Sequence, residues 1–361
     1  MSWSRRDFVR GAALGGAALA MSAKTIGAKA QTEMQAVPRR KFERIDLEVP
    51  VMTVGTVPLT DFAPILRAME WGINFVHTCS GYADGKAIEM VAKAMQEIDR
   101  EDIVLGIKTR LEYDSVMRDL DVLGTDHVEI AFYHSTEPAE PGQEQVYEDF
   151  LRLKEAGAVK FLGLTSHGAV PEVMEAGLQT GWYDVLMPAY NPGNAAEVDP
   201  ILERAAEQGV GGMVMKSLRG GGGEAEQVWG NMLAKKHWTT ICWSVRTDGD
   251  VDKMAQFAND WERWVDAETE VALALAAEGR VCASCGSCDR LCPQRVAVSD
   301  ILRYEMYAAE YGWVRRGKKL YASLPPSRSA LACTDCGACV AGCHAHLNIP
   351  ARLRVAHRVL S

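Results

Sequence analysis

Ile73-Asn74-Phe75-Val76-His77-Thr78 is a short, mostly apolar run, and Cys79-Ser80-Gly81-Tyr82-Ala83-Asp84-Gly85 separates it from Lys86–Glu97, where apolar residues recur at helical spacing. A run of this kind followed at once by an amphipathic helix predicts a parallel sheet covered by helices. The same unit recurs on both sides. Strands are expected at Val51–Val57, Ile103–Lys108, Val128–Tyr133, Val159–Leu164, Asp184–Met187, Val210–Met215 and Trp238–Trp243. Helices are expected at Asp61–Trp71, Tyr113–Leu123, Glu144–Ala156, Pro171–Thr180, Ala195–Gln208, Ala225–Lys235 and Val251–Asp260. Eight strand–helix pairs within residues 39–260 fit a closed (β/α)8 barrel of the TIM type. An open doubly wound sheet needs a glycine fingerprint after its first strand, and Thr56-Val57-Pro58 offers none.

Beyond the barrel, residues 261–281 read as a linking helix, and residues 282–361 hold eight of the ten cysteines. Cys282, Cys285, Cys288 and Cys292 repeat their spacing in Cys333, Cys336, Cys339 and Cys343, each quartet reading C-x2-C-x2-C-x3-C. This is the spacing of bacterial two-cluster ferredoxins, in which the fourth cysteine serves the other cluster. Two [4Fe-4S] clusters are expected in a small α-helical ferredoxin-like domain, one on Cys282, Cys285, Cys288 and Cys343, the other on Cys333, Cys336, Cys339 and Cys292. Disulfides or zinc are the alternatives, but neither accounts for a fourth cysteine placed three residues on, twice. Tyr304, Tyr307, Tyr311, Trp313 and Tyr321 are expected to pack around the clusters. Arg315-Arg316-Gly317-Lys318-Lys319 is a solvated basic face, or else a dock for an acidic redox partner protein.

A net charge of −9 without a basic stripe excludes nucleic acid as the main partner. Residues 1–30 have the features of a cleaved export signal: Arg5-Arg6, a short Ala/Gly/Leu run from Gly11 to Met21, and Ala28-Lys29-Ala30. They resemble a twin-arginine signal, which implies the twin-arginine export machinery, a periplasmic or otherwise exported destination, and no transmembrane segment in the mature chain. Export of an already folded protein would let clusters form in the reducing cytoplasm.

The residues that follow the strands carry a second resemblance. Thr78 leads into Gly81-Tyr82, the third strand ends in Lys108, and the fourth in His134. From about Val51 to Asp260 the chain resembles the aldo-keto reductases, in the branch with a C-terminal two-cluster domain. The resemblance implies Tyr82 as proton donor to a substrate carbonyl, Lys108 as the cation that eases loss of that proton, and His134 as the group orienting the carbonyl oxygen. The family's aspartate partner of the lysine falls at His77. The nicotinamide contacts fall at Ser166, His167, Met187 and Met215, while Lys216, Ser217 and Arg246, with Gly220 to Gly223, suit a cofactor phosphate. An imidazole supplies no permanent negative charge, and several cofactor contacts are altered together. The expectation is therefore an exported oxidoreductase acting on a small carbonyl or alcohol substrate, with electrons passing through the clusters and NADP(H) absent or tightly held. The alternative is an electron-transfer or scaffold protein with a degenerate barrel site. Cys79 lies near the expected site, and Cys242 is expected in the core.

Overall fold

The computed structural model describes residues 35–218, 225–277 and 279–361. The export-signal segment and the glycines 220–223 lie outside them. The expected barrel is present: strands β3 (Met52–Gly55), β4 (Phe75–Thr78), β5 (Val104–Thr109), β6 (Val128–His134), β7 (Val159–Ser166), β8 (Val185–Pro188), β9 (Gly211–Val214) and β10 (Thr240–Ser244) are all parallel, and β10 pairs with β3 to close the ring. Large and small residues alternate inside it. Phe132 fills the space that Gly106 and Gly163 leave open, and a Cβ on Gly163 would stand 2.4 Å from that ring. A helix follows each barrel strand, and after β10 Thr247 and Asp250 form a reciprocal capping box that starts Asp248–Ala258, an arrangement typically stabilising by about 1 kcal/mol.

Two features depart from the expected pattern. The barrel is preceded by a hairpin, β1 (Arg39–Phe42) and β2 (Leu47–Pro50), too polar and too short to be read from periodicity. Its Phe42 is fully buried and packs edge-on to Phe75 at 6.4 Å, beneath Gly211, where a Cβ would lie 2.0 Å from the ring. Arg40 ties the hairpin down by donating to the carbonyls of Trp238 and Leu233, both at 2.6 Å. The hairpin therefore plugs the end of the barrel where the strands begin. The linking helix is also shorter than expected: a single tight turn, Trp261–Trp264, precedes helix Ala267–Ala277. That turn packs on Gly230, where a Cβ would lie 2.7 Å from Trp264.

The C-terminal segment is built as two copies at one constant offset. Helix Ser287–Leu291 lies within the first quartet and helix Val298–Ala309 follows it; Ala338–Ala341 lies within the second and Ile349–Leu360 follows it. Positive φ values fall at matching places, Ser284, Gly286 and Arg295 in one copy and Asp335, Gly337 and His346 in the other. Such left-handed residues turn successive amides inward, the geometry of an anion-binding nest. The segment sits on the barrel end where strands finish: Val170 donates its amide to the Ser284 carbonyl at 3.1 Å, Asn194 Nδ2 to the Ala283 carbonyl at 3.2 Å, and Gly286 rests on Ala169. Among the described residues no helix is long and apolar enough to cross a membrane.

Candidate active site and cluster cradles

The eight quartet thiols gather around two small cavities. One is lined by Cys282, Cys285, Cys288 and Cys343, the other by Cys292, Cys333, Cys336 and Cys339, so each quartet lends its fourth cysteine to the other cavity. All are free thiols. Among the described residues no three His, Cys, Asp or Glu side chains converge on a single ion. Burial pushes the thiols of Cys285, Cys288 and Cys339 up, and a cluster's positive iron would reverse that by holding them as thiolates. The Ser284 and Leu347 amides already point at the sulfurs of Cys282 and Cys343, both at 3.4 Å. The donor set fits the cluster expectation.

Above the barrel, Tyr82, Lys108 and His134 line one chamber of about 340 Å³. Their arrangement differs from that implied by the resemblance. Lys108 Nζ stands 4.8 Å over the face of the Tyr82 ring. Burial first, then Cys79 and Cys242, pushes the Tyr82 phenol well above its ordinary range. Tyr82 thus keeps its proton at neutral pH. His77 is buried and its Nε2 has no partner; burial, then Lys108 and Lys216, hold its pKa down to about 3. It is neutral, packs edge-on to Phe132 at 5.3 Å, and gives Lys108 no counter-charge. His134 Nδ1 lies 3.1 Å from the Thr165 carbonyl and so carries the proton. Burial and Lys108 lower its pKa to about 3, so Nε2 presents a lone pair. At neutral pH this nitrogen can accept a hydrogen bond but has no proton to donate.

One wall comes from the cluster segment, which sequence reasoning missed. Helix Val298–Ala309 supplies Arg303, Tyr304 and Tyr307, and helix Val314–Ala322 supplies Arg316 and Leu320. Tyr307 was expected only to pack; instead its hydroxyl meets Lys216 Nζ at 3.3 Å. Burial alone would raise this phenol, but Lys216, then Arg303 and Lys108, outweigh it and bring it down to about 6. The basic run is not a free face either: Arg316 donates to the Gly81 carbonyl at 3.2 Å and lies 5.7 Å over the Tyr82 ring, and Lys319 pairs with Asp84. Two of its cations therefore hold the loop that carries Tyr82. The signal that could have shown this was the run's position on the helix that comes next after Tyr307, Val314–Ala322, which packs against Val298–Ala309.

A larger groove of about 800 Å³ adjoins the chamber at Tyr82, Met215 and Lys216, running past Met187, Ser217, Cys242 and Arg246. Cys242, expected in the core, lines it, and burial pushes its thiol up to about 12. The residues expected to hold nicotinamide are otherwise engaged. Ser166 Oγ donates to the Gly168 carbonyl at 2.6 Å, and Arg303 donates to His167 Nε2 at 3.3 Å. Ser217 Oγ accepts from Trp229 Nε1 at 2.8 Å, Arg246 donates to the Tyr311 carbonyl at 2.8 Å, and Lys216 turns into the chamber. With methionines at the amide and ring-stacking positions, these residues do not fit a nicotinamide dinucleotide in the expected way.

Comparison with known proteins agrees with this architecture. Residues 57–274 match the Aldo/keto reductase family and residues 281–347 match a 4Fe-4S dicluster domain. Aldo-keto reductase YhdN of Bacillus subtilis is 25% identical over 172 residues, covering 43% of this chain and 48% of YhdN. The oxidoreductase YqkF of the same organism is 26% identical over 150 residues, covering 36% and 48%. The chain thus spans about half the length of the curated relatives it matches. Among solved structures, the aldo-keto reductase PA4992 of Pseudomonas aeruginosa superposes with a TM-score of 0.57 at 20% identity, over 64% of this chain and 99% of that one. The holo form of AKR11C1 from Bacillus halodurans gives 0.57 at 20%, over 68% and 98%. These similarities establish a shared barrel. With a closed eight-stranded ring and a family match over more than half its length, the chain belongs to the aldo/keto reductase family.

Proposed function

We propose that the chain is an exported oxidoreductase that interconverts a small carbonyl compound and its alcohol in the chamber over Tyr82, exchanging electrons with a redox partner protein through two [4Fe-4S] clusters, with NADP(H) absent or held without exchange. The observation that carries this reading is helix Val298–Ala309. Val298 lines one cradle, Leu302 lines the other, and Arg303, Tyr304 and Tyr307 line the chamber. Chamber and nearer cradle are thus separated by about one helix diameter, roughly 10–12 Å. Cys282, Cys285, Cys288 and Cys343 would hold one cluster, and Cys292, Cys333, Cys336 and Cys339 the other. Two such clusters would supply one electron each, the two that a carbonyl takes up with two protons, one to its oxygen and one to its carbon, on becoming an alcohol. The chain's own residues manage the protons. Tyr82 keeps its phenolic hydrogen and offers it to the carbonyl oxygen, His134 Nε2 accepts from the hydroxyl of the alcohol form, and Tyr307, ionised near neutrality, exchanges a proton at its oxygen. The cluster segment covers the chamber and keeps bulk water from the reacting groups.

The test is to purify the protein without oxygen, reduce its clusters, and follow their electron paramagnetic resonance signal while candidate carbonyls are added. About two electrons should be withdrawn per carbonyl reduced, and Tyr82→Phe should slow this on the order of 100-fold. Readily exchanged, stoichiometric NADPH in the isolated protein would restore an ordinary reductase. A second reading is favoured by His77, which leaves Lys108 without a carboxylate: an electron carrier whose barrel is a scaffold. In that case no carbonyl would reoxidise the clusters, and Tyr82→Phe would leave electron transfer to the partner unchanged. Export is tested separately, since Arg5→Lys with Arg6→Lys should retain the cluster-loaded protein in the cytoplasm.

A further inference from the structure

Four cations line the chamber: Lys108, Lys216, Arg303 and Arg316. Among the lining residues the only carboxylate is Asp300, and it pairs with Arg303 from the same helix. The hydrogen-bonding balance leans the same way. Arg303 donates to His167 Nε2, so the proton of that ring is on Nδ1, and Nδ1 is buried without an acceptor. His167 is 8% exposed. Arg316 Nε is likewise buried and unpartnered. Lys216 reaches the chamber from a left-handed backbone conformation, φ 60°, that a lysine adopts only when the surroundings enforce it. Among the described residues its ammonium meets the Tyr307 oxygen, and with Asp300 and an ionised Tyr307 both counted the lining still holds two more cations than anions. Charges taken from water at this density are costly unless an opposite charge joins them. Donors in excess of acceptors call for a ligand made of acceptors.

We infer that the chamber binds a small carbonyl compound carrying an oxyanion, most simply a carboxylate, gripped by Lys216, Arg303 and Arg316 beside Tyr82. This rests on the proposed reading of the chamber as a substrate site, and it names the substrate class. The planar fork of two guanidinium groups suits a carboxylate in bidentate contact. A space of about 340 Å³ holds a few-carbon acid. The groups that would grip the anion belong largely to the cluster segment, so binding would also clamp that segment onto the barrel.

The experiment is calorimetric titration of the oxidised, cluster-loaded full chain at low salt with oxamate and malonate, with malonamide as the uncharged counterpart and 2′,5′-ADP as a phosphate source. Oxamate and malonate should bind at least tenfold more tightly than malonamide. Arg303→Gln and Lys216→Gln should each weaken them tenfold or more, with the visible cluster absorption and melting temperature retained, while Lys41→Gln on the outer surface changes nothing. Equal binding of malonamide, or anion binding that survives both substitutions, overturns the inference. So does displacement of the anions by 2′,5′-ADP alone, which would assign the cations to a nucleotide phosphate. If either glutamine variant fails to load clusters, Arg316→Gln and the salt dependence of malonate binding decide the same question, since affinity that does not fall with salt also overturns the inference. No turnover enters these measurements, so a chain without reductase activity could still pass them. Turnover confined to uncharged carbonyls would leave the proposed reaction standing and defeat the oxyanion.

Discussion

Replacing Lys216 by methionine removes one charge from the chamber while keeping its volume, and Tyr307 should report the loss directly. Lys216 Nζ is 3.3 Å from the Tyr307 oxygen. At an effective dielectric of about 20, a unit charge at that distance stabilises the phenolate by about 5 kcal/mol, equivalent to between three and four pKa units. Burial opposes ionisation, and Arg303 and Lys108 remain to favour it, so the phenol should move from about 6 up by roughly three units in Lys216→Met. Burial lowers Lys216 itself to about 8. Between about 6 and about 8 the wild-type pair is therefore an ammonium beside a phenolate. The assay is the near-ultraviolet difference spectrum of wild type minus Tyr307→Phe across pH, in which cluster absorption and the other tyrosines cancel. Tyrosinate should appear in the difference near pH 6 and should shift upward in the same subtraction made on the Lys216→Met background. A wild-type phenol that ionises only near its ordinary value of about 10 would refute the geometry argued for this corner of the chamber.

Three further outcomes follow from the same geometry. His77, His134 and His167 are buried neutral, with folded pKa values below the unfolded value, so the unfolded chain binds more protons and stability rises with pH. Denaturant unfolding of the cluster-loaded protein should lose up to about 4 kcal/mol per pH unit on going below about 6.5, each histidine contributing about 1.4; a flat profile between pH 7 and 5 would contradict their burial. Cys343→Ser should damage the cluster held by Cys282, Cys285 and Cys288, and Cys292→Ser the other, as read by which of two paramagnetic signals is lost; damage to each quartet's own triad would contradict the exchange. Gly211→Ala drives a methyl into Phe42 and should destabilise by about 1–3 kcal/mol, read by calorimetric melting; Phe42→Leu in the same chain should recover much of it.

The barrel was legible because each strand is apolar on both faces and each helix on one, a pattern that fixes topology before any contact is known. The two thiol cradles were legible for a similar reason, since a cubane needs thiols at short fixed spacings and the chain writes that spacing twice. The chamber was only half legible. Tyr82, Lys108 and His134 could be found because strand ends in a barrel face one mouth, but Tyr307 and Arg303 come from a helix more than a hundred residues later in the chain. Their helical periodicity says which face is apolar and nothing about what lies opposite. The hairpin escaped because Arg39-Arg40-Lys41 reads as solvated chain, whereas the Arg40 guanidinium in fact donates to two backbone carbonyls. The tautomer of His134 is decided by the Thr165 carbonyl, which a sequence cannot display.

The pattern of altered residues bears on whether this barrel site has decayed. A site released from chemical use sheds buried charge, because each cation held out of water without a partner costs several kcal/mol and any apolar replacement relieves it. Here the carboxylate position carries neutral His77, which by itself would suit decay. Yet Lys108 remains, and Lys216, Arg303 and Arg316 join it within one enclosed space, two of them delivered by the segment that carries the cluster cysteines. Losing an internal anion while gathering cations makes the folded protein less stable unless something negative enters from outside. The surroundings also hold these groups in place: Arg303 against His167 and Asp300, Arg316 against the Gly81 carbonyl, Lys216 against Tyr307. Stability given up in this way marks a site that binds. The measurement that decides is the melting temperature of the cluster-loaded chain with and without malonate: a working chamber is stabilised by the anion, and a relic is not.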